Sequence, residues 1–148
     1  MSKLVLALLS GVFFTFILDF FLFLSFKLHY IDTYEIDLYY NILFADNQNI
    51  VIYLVFTIIL GYFTIYFKNM KITALLLGIL FAGVMALNII PSLGEYVAKM
   101  VLMKPNQRLF DGRHIYHGDI YYDGRNEIYM YDNDLQRIIT IEKKDIKS

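Results

Sequence analysis

Residues 4–26 read LVLALLSGVFFTFILDFFLFLSF, twenty-three residues carrying one charge, Asp19. A helix needs about 20 mostly apolar residues, at about 1.5 Å of rise each, to cross the hydrocarbon core of a bilayer. A surface helix of a soluble domain keeps a polar face, and this stretch has none. The segment therefore reads as a transmembrane span. A cleaved signal peptide fits less well, because its apolar core is shorter and a small-residue cleavage site is missing before Lys27.

Working outward, two more spans follow. Residues 50–67 are uncharged, with Tyr53 near one end and Tyr66 near the other; residues 72–90 are uncharged and end at Asn88 and Pro91. Proline stops or kinks a helix at that point. Hydrophobic residues make up 58% of the 148-residue chain, and the mean hydropathy is +0.51, both typical of a membrane protein rather than a globular one. Cysteine is absent, which excludes disulfides, thiolate metal sites and thiol catalysis. The net charge of −1 gives no basic field for nucleic acid.

Two amphipathic segments flank the second and third spans. Asp32 and Glu35 have the spacing of a capping box and predict an interfacial helix over about 33–44, or else an ordered loop folded over the bundle. Ser92 and Glu95 repeat that spacing and predict a helix over 93–103. Its apolar face is Leu93, Tyr96, Val97, Met100 and Val101, with Glu95 and Lys99 turned away.

The period changes in residues 104–148. Short runs rich in isoleucine and tyrosine, at 113–116, 119–122, 127–131 and 135–142, are separated by Asp111-Gly112, His117-Gly118, Asp123-Gly124 and residues 132–134. Asp-Gly favours tight hairpin turns. Alternation places Ile128 and Met130 on one face and Tyr129 and Tyr131 on the other; Ile139 and Ile141 also share a face. The expectation is a three- or four-stranded antiparallel meander. An aromatic-Asp-Gly-Arg pattern occurs twice, at 110–113 and 122–125, and reads as two similar hairpin turns. The predicted fold is thus an integral membrane α-helical region over 1–103, with three transmembrane helices and two interfacial ones, followed by a small β-meander tail.

Lys3, Lys68 and Lys71 mark one side of the membrane, while residues 27–49 are rich in acids. By the positive-inside rule the N-terminus is cytoplasmic and the tail lies outside, across an inner or plasma membrane. Lys99, Lys104 and Arg108 beside the third span pull the other way.

Few residues suggest chemistry. Asp19 within a span costs about 2.5–3.5 kcal/mol at the membrane centre on insertion scales. Gly11, Thr15 and Asp19 form a stripe of small and polar residues at every fourth position. Similar stripes run along the second span (Tyr53, Thr57, Gly61, Thr64) and the third (Gly78, Ala82, Ala86). Such stripes let membrane helices approach closely. Asp19 is then bonded to a hydroxyl such as Thr57 or Tyr53, or meets another subunit, or carries a proton or ion. Tyr116, Tyr121, Tyr122, Tyr129 and Tyr131 form a second candidate surface, for a protein partner or for packing within the chain, since tyrosine is enriched at interfaces. His114 and His117 stand three apart, on opposite strand faces, and make no metal site. No phosphate loop, nucleophile elbow or zinc-protease motif is present, and no cofactor is expected. The function expected is a non-enzymatic accessory, scaffold or assembly subunit of a membrane complex, binding lipid and other membrane or envelope proteins or itself. The alternative is a small oligomeric transporter or channel subunit using Asp19.

Overall fold

The computed structural model describes residues 2–146; Met1 and the last two residues of the tail lie outside them. Helix α1 (Lys3–Phe26) passes directly into a π-helical turn, Lys27–Ile31. Then come α2 (Tyr40–Asn47), α3 (Ile50–Ile65), α4 (Met70–Ile89) and α5 (Pro91–Leu102). Strands β1 (Lys104–Phe110), β2 (Ile115–Asp123), β3 (Glu127–Asp132) and β4 (Arg137–Glu142) follow, and a 3-10 turn closes the described chain at Lys143–Asp145.

Two helices are long and apolar enough to cross a membrane: α1 with its π turn, and α4. A third counts only if α2 and α3, bent by 84° at residues 48–49, are taken as one span. Helix α3 has 16 residues, about 24 Å of rise, and stops at Ile65 rather than at 67. Its last turn widens there, the amides of Tyr66 and Phe67 both donating to the Tyr62 carbonyl.

The centre of the helical layer is α1. Against α3 it packs backbone to backbone. A β-carbon on Gly11 would lie 1.9 Å from the Thr57 carbonyl oxygen, and one on Gly61 would lie 2.2 Å from that of Ala7. The stripes on the first two spans therefore meet, as their spacing predicts. Helix α4 leans on the other side of α1: Ser25 Oγ donates to the Leu87 carbonyl at 2.8 Å, and Asn88 Nδ2 to that of Phe21 at 2.9 Å. Helices α3 and α4 scarcely touch each other, apart from Thr73 Oγ1 donating to the Phe63 carbonyl near their connecting turn.

The third stripe does not join this packing. Gly78 and Ala82 are exposed, and a β-carbon on Gly78 would meet nothing within 4 Å. The reason is helical phase: α4 turns Phe81, Leu77 and Asn88 toward the bundle, with Phe14 edge-on to Phe81 at 6.1 Å.

Neither predicted capping box forms. Asp32 pairs with Lys27, and Glu35 has a φ of 53°, outside any helix. Ile36 and Leu38 are both buried while Asp37 is exposed. That alternation demands extended backbone, so no helix covers 33–39 and α2 starts only at Tyr40. In the second case Pro91 occupies the first helical position, where its missing N–H costs nothing, and Ile90 is the extended cap. Asparagines cap α3 and α4. Asn49 Oδ1 accepts from the amides of Val51 and Ile52, and Asn69 Oδ1 from those of Lys71 and Ile72.

Helix α5 buries Gly94, Ala98 and Leu102 and leaves Leu93, Tyr96, Met100 and Val101 exposed. Of its predicted apolar stripe only Val97 packs on the core, and the rest faces outward. Glu95 and Lys99, expected to point away, face the chain.

The tail is a four-stranded antiparallel meander in the order β1-β2-β3-β4. Strand β1 is unannounced by any apolar run. It is an edge strand, which tolerates Pro105, and its pairing slips at Asn106, whose φ is 52°. His117-Gly118 is no turn, because β2 runs through it. Gly118 is needed there, since a β-carbon would lie 1.8 Å from the Tyr131 carbonyl oxygen. Both aromatic-Asp-Gly-Arg copies are hairpin turns, joining β1 to β2 and β2 to β3. Ile120, Ile128, Met130 and Ile141 form the core of the tail. The tyrosine face packs elsewhere.

Candidate functional site

Gly11 and Thr15 are buried at the α1–α3 crossing, and Asp19 sits half-buried one turn beyond Thr15, level with the start of α3. Its Oδ2 accepts from Gln48 Nε2 at 3.3 Å. Gln48 lies in the bend between α2 and α3, so the bend itself supplies the partner. Neither expected hydroxyl does. Tyr53 Oη donates to the Val12 carbonyl at 3.0 Å. Thr57 is two turns deeper along α3, and the buried hydroxyls of Thr15 and Thr57 have no hydrogen-bond partner among the described residues.

A wide opening separates α3 from α4. It is a groove of about 480 Å³ lined only by apolar side chains, among them Phe56, Leu60, Leu75 and Ile79.

The tail sits on the segment that leaves α1. Tyr30 is fully buried at the end of α1, and its Oη donates to the Tyr121 carbonyl at 2.8 Å, across 91 residues of sequence. Pairing of β2 with β3 skips Tyr121, a β-bulge that turns both Tyr121 and Tyr122 toward the helices. Tyr121 meets Tyr34 edge-on at 4.5 Å and stacks on Tyr131 at 6.2 Å. Tyr122 is 1% exposed and accepts from Asn47 Nδ2 at 3.2 Å. Tyr129 Oη lies 3.2 Å from the Asp37 carbonyl. Tyr116 stays within its hairpin, donating to Asp111 Oδ2 at 3.0 Å. Four of the five tyrosines thus contact the helical region or one another, and their remaining surface is partial.

Charged groups reinforce this joint. Tyr34 Oη donates to Glu95 Oε1 at 2.7 Å, Lys99 Nζ pairs with Glu95 at 2.8 Å, and the ammonium lies 5.4 Å from the centre of the Tyr34 ring. The hydrogen bond from Lys99 holds the Glu95 carboxyl below its ordinary range, and the same bond raises Lys99. Arg125, from the β2–β3 turn, pairs with Asp46 on α2. Burial works against ionised Asp123, yet Lys104 at 2.5 Å and Lys143 at 2.6 Å hold its carboxyl below the usual value.

Sequence reasoning passed over Tyr30, Tyr34, Gln48 and the Asp46–Arg125 pair. The Glu95–Lys99 spacing of four was legible as a helical ion pair; the other contacts join distant segments and leave no local trace.

His114, in the first hairpin turn, lies 3.6 Å from Asp111, and His117 is within β2. Among the described residues no group of three or more His, Cys, Asp or Glu side chains could hold a metal ion. The geometry offers packing surfaces, one hydrogen-bonded carboxylate beside a helix bend, and a sheet bonded to the helical region. Compared with known proteins, the chain matches no family model, and neither a curated protein nor a solved structure resembles it significantly.

Proposed function

We propose that the chain is an integral membrane protein that works as a non-enzymatic accessory, scaffold or assembly subunit, docking on another membrane protein through its open α3–α4 side. The observation that carries this reading is the divergence of α3 and α4 over an apolar groove of about 480 Å³, with Gly78 and Ala82 exposed on α4. Small residues on an outward face allow close approach of a further helix. Ile50, Val51 and Ile58 on α3, and Leu75 and Ile79 on α4, are each more than 60% exposed, which supports a lipid setting for both helices. The N-terminus is cytoplasmic and the sheet lies outside, in an inner or plasma membrane. The loop after α1 and the tail share one end of the molecule, joined by Tyr30 and Tyr121, while Lys3, Lys68 and Lys71 lie toward the other.

The test is a photo-crosslinking residue placed at Leu75 in cells, combined with recovery in mild detergent and mass spectrometry. The expected result is one discrete protein adduct, lost in Gly78→Leu while the variant itself still inserts. Adducts to lipid alone, with the same complex recovered from Gly78→Leu, overturn the proposal.

The alternative, an oligomeric transporter or channel subunit, draws support from one observation. Asp19 is bonded to Gln48 at the 84° bend, and broken helices supply ion sites in transporters.

A further inference from the structure

The hairpin of β1 and β2 ends in a tip that the rest of the chain leaves open. Phe110 and Ile115 are cross-strand partners there, and Arg108 pairs with His117 two residues back along the same ladder. Directly opposed side chains lie on one face of a sheet, and each face recurs at every second position. Leu109 and Tyr116, the pair between them, pack on the core of Ile120 and Met130. Phe110, Ile115, Arg108 and His117 therefore take the opposite face. It continues along β2 to Tyr121, by which the sheet docks on the loop after α1. Phe110 is 42% exposed and Ile115 59%. Arg108 and Arg113 are exposed and form no ion pair among the described residues. The acid of the turn does not neutralise them. Asp111 Oδ1 accepts from the amides of Arg113 at 2.8 Å and His114 at 2.6 Å, and its Oδ2 from the Tyr116 hydroxyl at 3.0 Å. Asp119, further along the same face, accepts from the Asn106 amide at 2.9 Å.

We propose that this hairpin tip docks on the anionic surface of the bilayer that the helices cross, with Arg108 and Arg113 on lipid phosphates and Phe110 and Ile115 at the headgroup boundary. Three observations select that occupant. The charge is complementary: two unpaired guanidinium groups stand beside apolar side chains, the chemistry of interfacial binding to anionic lipid. The patch continues the face by which the sheet docks on the loop after α1, so it is turned toward the end of the membrane helices. Its apolar part is two side chains, far short of the roughly 800 Å² that a specific protein interface takes from each partner. A lipid surface makes no such demand. The helices already hold the tip near the bilayer, so a contact weak in isolation is occupied at high effective concentration. The inference rests on the membrane reading of α1 and α4, and not on the accessory-subunit role.

The experiment uses the full chain in nanodiscs of phosphatidylcholine with increasing phosphatidylglycerol. His114→Cys, on the exposed tip, carries an environment-sensitive dye, and a lipid bearing a nitroxide near its headgroup quenches that dye on contact. Quenching should rise with the phosphatidylglycerol fraction and fall as salt screens the charges. Adding Arg113→Gln should raise the fraction needed for half-maximal quenching by about fivefold, the scale of one basic side chain at an anionic surface. Arg108→Gln/Arg113→Gln should abolish the rise, and Phe110→Ser/Ile115→Ser should reduce quenching at every fraction. The salt response of the labelled chain without these changes carries the test if a variant does not fold. Quenching that ignores both phosphatidylglycerol and salt, or that survives unchanged in the double arginine variant, overturns the proposal. So does a photo-crosslinking residue at Phe110 that gives a discrete protein adduct in cells in place of a lipid one. Extraction with alkaline carbonate separates this failure from that of the membrane reading. A chain released from membranes loses both; a chain that stays and shows no lipid-dependent quenching loses only the contact at the tip.

Discussion

Gly11 and Thr57 touch through backbone: a β-carbon at residue 11 would stand 1.9 Å from the Thr57 carbonyl oxygen. Neither helix can yield locally, because Gly61 presses on the Ala7 carbonyl one turn away along the same crossing. Gly11→Ala should therefore separate α1 from α3 and cost about 1–3 kcal/mol, the range for overpacking. Gly78→Ala has open space around it and should be neutral. Thermal unfolding of both variants in the same detergent measures the contrast; equal midpoints would remove the crossing from the account.

Asp19 is bonded to an amide, and that predicts how its variants behave. Asparagine keeps an oxygen for Gln48 Nε2, so Asp19→Asn should assemble and act like the native chain. Asp19→Leu leaves the amide unpaired and should weaken helix association by about 0.6–2 kcal/mol, the scale of interhelical hydrogen bonds in membranes. Expression, complex recovery and proton-linked flux in reconstituted vesicles separate the readings. An Asp19→Asn protein that assembles fully yet loses a measured flux would favour the transporter alternative, since only the titratable group has gone.

The Tyr34–Glu95–Lys99 cluster sets a pH window. The Glu95 carboxyl is lowered from 4.5 by its bond to Lys99. Its contribution is therefore fully present above 4.5 and lost as pH falls through the lowered value. Lys99 is raised from 10.5 by its bond to Glu95, so its contribution is full below 10.5 and lost as pH rises through the raised value. Docking of the loop on α5 should be flat between those limits and loosen outside them. Both side chains are about a third or more exposed, and the effect should not exceed about 1 kcal/mol after solvent screening. Hydrogen exchange of residues 30–38 across pH reads it directly, and Glu95→Gln should erase the acid limb.

The proposed sidedness can be tested because loop and tail share one end of the molecule. The chain has no native cysteine, so single cysteines report cleanly. Lys68→Cys, in the exposed turn before α4, and Asn133→Cys, in the β3–β4 turn, lie toward opposite ends. In intact cells an impermeant thiol reagent should label only the residue-133 variant. Labelling at 68 alone would invert the proposed orientation.

Much of the architecture lay in local pattern. Apolar length marked the helices that became α1, α3 and α4, the spacing Gly11–Thr15 and Thr57–Gly61 marked their crossing, and alternation separated Ile128 and Met130 from Tyr129 and Tyr131. These are properties of a segment's own composition and period, and no distant contact revises them. Where a segment's neighbour decides the outcome, the sequence was silent or misleading. Asp32 and Glu35 had the spacing of a cap, but burial of Ile36 and Leu38 against the core required extended chain. The stripe on α4 had the spacing of an interface, but its phase turned it outward. Asp19 found Gln48 because the chain bends at residues 48–49, and the tyrosines of β2 turned inward because Tyr30, 91 residues earlier, bonds the bulge at Tyr121. Composition and period determine which elements form; which face each one buries depends on groups that only the folded chain brings within hydrogen-bonding distance.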